Sequence, residues 1–204
     1  HLVDARFHLE NDDLEQASRS LGRALALFPR SAEGLTLKGE VLVQEGKINE
    51  AAVLFRSAVD ADPESAKAWE NLGIFLMEHG SPDDVGESAA ALERALELEP
   101  WRAEAAFGLG VAYAMQGRLQ EAREMLELAV DVDREHVRSW IALGMLYLTL
   151  QDIPAATEAL ETAIWIDPDN AHATCNLAAI LARTYDQRAG EYRQRCEDLS
   201  SEQP

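Results

Sequence analysis

The residues from which a catalytic or metal site would be built are few and poorly spaced for the task. The five histidines, His1, His8, His79, His136 and His172, fall in no H-E-x-x-H or paired Cys/His pattern. His172 and Cys175 stand three residues apart and could give two ligands from one helix face, but a third and fourth are missing, so ordinary groove lining is the reading. Gly108-Leu109-Gly110 lacks the third glycine and the preceding strand of a dinucleotide loop. Carboxylates abound, yet without a base, a nucleophile or a phosphate loop beside them they describe no reaction. The chain is expected to be non-enzymatic, with no cofactor and no metal.

Charge and composition narrow the partners. Lys and Arg number 18 against 37 Asp and Glu, a formal charge of −19. Such a surface repels phosphate backbones, which argues against nucleic acid. It suits a basic protein partner, or it only keeps a Glu-rich outer face solvated, which is the default reading. No apolar run approaches the ~18 residues of a membrane span, so direct membrane insertion is not expected. Two cysteines, Cys175 and Cys196, do not make a disulfide framework. With no signal-like segment, this favours the cytoplasm, although the start at His1 reads as a trimmed piece of a longer chain.

The elements that position these residues recur. Pro29 and Pro63 are 34 residues apart, and Pro100, Arg134 and Pro168 follow one another at the same step. Small residues keep that step ahead of them: Ala17 and Ala24, Ala51 and Ala58, Ala122 and Ala129, Ala156 and Ala163. A fixed period of this size marks stacked helical repeats, each burying its apolar face against its neighbours. Within one repeat, Trp140, Leu143 and Tyr147 form a stripe on a first (A) helix, and Ala156, Leu160 and Ala163 a facing stripe on a second (B) helix. Gly144 lets the two helices approach, and Pro168 ends the second. A helices are expected near 1–10, 32–45, 66–79, 103–116 and 137–150, and B helices near 12–27, 48–61, 82–98, 119–132 and 153–166. Three extra residues lie in the third A-to-B turn, around 80–87. They read as a slightly longer B helix that starts at Ser81-Pro82. A sixth A helix begins near Ala171, and the segment after it, with Gly190, Gln194 and Glu197 in the frame positions, reads as a polar cap.

These residues follow the pattern W-x2-L-G-x2-Y…A-x3-F…P, and the chain resembles the tetratricopeptide-repeat superfamily over nearly its whole length. The resemblance implies an all-α, right-handed superhelical solenoid forming a single domain over 1–204. Its repeats lie at about 1–30, 31–64, 65–101, 102–135 and 136–169, with capping helices at 170–199 and a frayed tail at 200–204. It also implies a concave groove lined by A helices. Carried over by position, the N-terminal half of that groove is polar and mostly acidic, with Arg6, Glu10, Glu33, Thr36, Glu40, Gln44, Lys67, Glu70, Asn71 and Glu78. The C-terminal half is apolar, with Phe107, Val111, Met115, Ile141, Met145, Leu148 and Cys175, and Asn176 beyond; Ile74 stands at the junction. Of the family's carboxylate clamp only Lys67 matches, and the asparagine ladder of some peptide-gripping members survives only at Asn71 and Asn176. Trp165 falls where other repeats carry Ala26, Asp60, Glu97 and Asp131, an outward position from which it could anchor an interface or equally fold down over the next unit's turn.

The resulting expectation is a scaffold that binds a peptide or helix of a partner through basic and apolar anchors. Two alternatives stand beside it: a self-associating module, and an adaptor domain of a larger enzyme such as a transferase.

Overall fold

The computed structural model describes residues 1–201 and holds, among them, twelve α-helices and no strand. The helices alternate as the periodicity requires: α1 (Leu2–Glu10), α2 (Leu14–Leu27), α3 (Ala32–Gln44), α4 (Ile48–Ala61), α5 (Ala66–His79), α6 (Val85–Leu98), α7 (Ala103–Met115), α8 (Leu119–Val132), α9 (Val137–Thr149), α10 (Ile153–Ile166), α11 (Ala171–Arg183) and α12 (Ala189–Ser201). Contacts divide the chain into unit 1, His1–Gly108, and unit 2, Leu109–Pro204. Residues 202–204 of the expected tail lie outside the described residues, and α12 continues through Ser201.

Local chemistry sets the helix ends. Asp13, Ser31, Ser65, Asp152 and Asn170 each accept a hydrogen bond from the backbone N–H three residues on, satisfying a donor that the first helical turn leaves open. Trp69 and Trp140 donate their indole N–H to the carbonyls of Pro63 and Arg134, both at 2.9 Å. This ties each A helix to the turn before it. The A-to-B turns pass through the left-handed region at Asp12, Gly46, Gly117, Gln151 and Tyr185.

The pairing glycines explain the period. A Cβ placed on Gly73 would lie 2.5 Å from Leu92 Cγ, on Gly110 2.7 Å from Leu126 Cγ, and on Gly144 2.7 Å from Leu160 Cγ. Leu92, Leu126 and Leu160 are fully buried there, each worth roughly 1.5–3 kcal/mol of transfer from water. In unit 1, Phe55 and Phe75 stack with centroids 4.6 Å apart inside the α4–α5 core.

Two segments depart from the expectation. The three extra residues do not lengthen a B helix. They form a 3₁₀ turn at Pro82–Asp84, and α6 begins only at Val85. The Asp84 carboxylate accepts from Ser81 N–H at 2.7 Å and from Ser81 Oγ at 2.8 Å, closing the turn locally. The cap also leaves the repeat frame. α12 turns Ala189 and Tyr192 toward the α10–α11 core, while Gly190, Gln194 and Glu197 face solvent. The pairing glycine of earlier repeats is replaced on α11 by buried Ala178.

Candidate functional site

In unit 1 the A helices α1, α3 and α5 share one face. It holds a crevice of about 400 Å³ lined by Arg6, Glu33, Glu40, Lys67 and Asn71 among others, the residues that the repeat frame assigns there. A second crevice of about 280 Å³ continues it, with Ile74 beside Val43 and Phe75. Arg6 Nη2 donates to Glu33 Oε1 at 2.6 Å. Lys67 Nζ donates to Glu70 Oε1 at 2.6 Å. Glu40 and Asn71 are half-buried, and no hydrogen bond or ion pair reaches either side chain among the described residues. Burial pushes the Glu40 carboxyl up from its ordinary range, against the pull of Lys67 and Arg6.

Glu70 is a structural residue behind this face. It is 2% exposed, and its carboxylate takes both Arg102 Nε at 2.7 Å and Arg102 Nη2 at 3.0 Å. Burial works to raise its pKa, but the hydrogen bonds from Arg102 and Lys67 outweigh it and hold the group below the usual carboxylate range. Arg102 also reaches Glu99 at 2.7 Å. Sequence reasoning missed Arg102 because it precedes the first residue of α7. The signal was available in an arginine placed 32 residues after a groove-position glutamate, at the start of the next A helix.

In unit 2 the structure brings Val111, Met115 and Met145 together with Leu119 and Ala142 around a crevice of about 350 Å³. Met115 and Met145 are exposed, and Val111 is half-buried. Leu119 was missed because it opens a B helix; its counterparts Ile48 and Ile153 repeat the position, which was the available signal. Ile141 and Leu148 pack instead against the α10–α11 core, where neighbouring A helices share their apolar sides.

Two expectations do not match the structure. Phe107, in unit 1, is 7% exposed, so it is packed and not open floor. Ala105 and Ala106 beside it are fully buried as well. Cys175 is joined to Cys196 by a disulfide, with the Cα atoms 4.9 Å apart, tying α11 to α12, and is not a simple groove residue. Asn176 is half-buried on α11. Trp165 is 82% exposed on α10. Among the described residues no group of three His, Cys, Asp or Glu could hold a metal, and no helix is long and apolar enough to cross a membrane.

Known proteins place the fold. Three family models described as tetratricopeptide repeat match residues 4–65 and 36–84, 83–146, and 137–170. Over 88 residues the chain is 34% identical to the peroxisomal targeting signal receptor of Yarrowia lipolytica, covering 43% of this chain and 14% of the receptor. It is 27% identical over 121 residues to tetratricopeptide repeat protein 7A of Homo sapiens, covering 59% of this chain and 14% of that protein. The chain thus spans about one seventh of the length of these curated relatives. Among solved structures, Pseudomonas aeruginosa PilF superposes with a TM-score of 0.87 at 20% identity, covering 98% of this chain and 90% of that one. YrrB, described as a TPR protein with an unusual peptide-binding site, gives 0.65 at 28% identity, covering 83% and 86%. With the pairing glycines, turn prolines and alternating helices already in place, the chain belongs to the tetratricopeptide-repeat superfamily.

Proposed function

We propose that this chain is a non-enzymatic interaction module whose A-helix faces receive a polypeptide segment of a partner protein. The observation that carries this reading is the open crevice on α1, α3 and α5, into which Glu40 and Asn71 present unpaired polar groups from half-buried positions. Half-buried groups without partners are costly unless a ligand supplies them. The apolar crevice at Val111, Met115 and Met145 is the second surface of the same kind, and methionine adapts to irregular partners. The peptide-binding site named for YrrB, and the signal named for the peroxisomal receptors, support a peptide as the ligand class.

Selection of a phage-displayed random peptide library on the purified chain tests this. Asn71→Arg, at a residue lining both unit 1 crevices, with Gln44→Arg, at a residue lining the smaller, obstructs the unit 1 face, and Met115→Arg with Met145→Arg the unit 2 crevice. Capture should be lost in at least one pair with the circular dichroism unchanged. Peptides held equally by both double variants would place binding elsewhere. A second reading, self-association, rests on the 82% exposure of Trp165. A molar mass by light scattering that stays monomeric across a concentration series sinks it.

A further inference from the structure

The unit 1 face says more about its occupant, provided the peptide-binding reading above holds. Its two crevices share Glu40 and Asn71, which stand where the larger one meets the smaller. The cations of this face are already engaged: Arg6 with Glu33 and Lys67 with Glu70, both at 2.6 Å. Glu70 takes its remaining donors from Arg102. Glu40 alone on α3 keeps a half-buried carboxylate that no donor within the described residues reaches. Removing a carboxylate from water without a partner is unfavourable, and an entering cation relieves it. The lining adds a field of the same sign. Across the two crevices the lining carries Glu10, Glu33, Glu40 and Glu78 beside Arg6, Lys67 and His79, in a chain whose formal charge is −19. That field repels phosphate and acidic peptides and steers basic ones inward. Beyond Glu40 the wall turns apolar at Val43, Phe55, Ile74 and Phe75, with room for an aliphatic side chain.

We propose that Glu40 seats a lysine or arginine side chain of the partner's segment, and that an apolar side chain of the same segment fills the crevice between Val43 and Ile74. The ligand class is a basic-apolar peptide. The contact that selects it is one carboxylate, in place of the diffuse acidity of the whole chain.

The probe is the capped nonapeptide Gly-Ser-Leu-Ser-Lys-Ser-Leu-Ser-Gly and its acetyl-lysine form, titrated into the ¹⁵N-labelled protein. A leucine on either side of the lysine allows both chain directions. The lysine form should bind at least about fivefold tighter than the acetylated form, with amide shifts centred on α3 and α5. That preference should vanish in Glu40→Gln and persist in Glu50→Gln, which removes one charge from an exposed site on α4. Glu40→Gln deletes no hydrogen bond, so its circular dichroism and melting should match the parent; Glu40→Asp keeps the charge and should retain part of the preference. A preference that survives Glu40→Gln, that Glu50→Gln weakens equally, or that is absent from the parent overturns the proposal. Equal binding of both peptides at this face leaves the groove reading standing without its cation. The library selection decides the groove reading on its own.

Discussion

Glu40, Ile74, Val111 and Met145 occupy one position of the repeat, and along it the A-helix surface changes character. In unit 1 the position and its neighbours give Glu40, Asn71 and Lys67 around a mixed-charge crevice. In unit 2 they give Val111, Met115 and Met145 around an apolar one. The pairing position one residue earlier does not change: Gly39, Gly73, Gly110 and Gly144 each face a large side chain of the B helix. Packing and exposed surface are thus written in separate positions of one repeat, and the chemistry of the face can change without altering the stack. The difference also reaches behind the surface. Unit 1 backs its face with a buried ionic group, Glu70 held by Arg102 and Lys67, whereas unit 2 backs its own with Leu126 and Leu146.

The largest expected effect breaks that backing. Arg102→Ala leaves Glu70, 2% exposed, with only Lys67. Losing one partner of a buried pair costs about 3 kcal/mol or more. The sign with pH follows from Glu70, whose folded pKa lies below the ordinary 4.5. Its contribution is present above that value and is lost as pH falls through the lower folded one. Urea unfolding should therefore show a large deficit for Arg102→Ala at neutral pH and a smaller one near pH 3. A deficit equal at both pH values would mean that the ion pair does not carry the effect.

The sequence made the packing legible and left the ionic backing dark. Helix starts and stops followed from the 34-residue step and the turn prolines, while the caps at Ser31, Ser65 and Asp152 emerged only in the structure. Gly144 announced its role because only a missing side chain allows that approach to Leu160. Glu70 was assigned to the groove because the frame gives its angle on the helix but not the arginine arriving from the next repeat. Phe107 and Cys175 failed alike: whether a groove-position side chain is open depends on a neighbouring helix. For Cys175 that neighbour is α12, which brings Cys196 to it.

A smaller effect tests whether the two units share one packing rule. Gly144→Leu drives a Cβ to within 2.7 Å of Leu160 Cγ, and Gly73→Leu to within 2.5 Å of Leu92 Cγ. Each overpacks its pair at about 1–3 kcal/mol. Gly22→Ala, with nothing within 4 Å of the added Cβ, is the control. It should stabilise by about 0.5–1 kcal/mol, since alanine suits a helix interior better than glycine. Matched losses at Gly73 and Gly144 sharpen the claim that only the surface differs between the units. A loss at one of them alone breaks it.

The smallest effect compares the same turn in both units. Gly46 in unit 1 sits at φ +75°, and Gln151 in unit 2 holds the equivalent position at φ 63°. In that region glycine is at ease, while an L side chain is strained by about 1–2 kcal/mol. Gln151→Gly removes the strain but loosens the unfolded chain, so the net gain should be about 0.5 kcal/mol. Gly46→Ala runs the other way and should cost about 1 kcal/mol, although open space surrounds its Cβ. Because neither side chain packs, these changes isolate backbone conformation from contact. Denaturant midpoints for the two variants should move in opposite directions with unchanged slopes. A Gln151→Gly variant less stable than the parent would show that the glutamine side chain holds its turn through contacts, and the two turns would then cease to be equivalent.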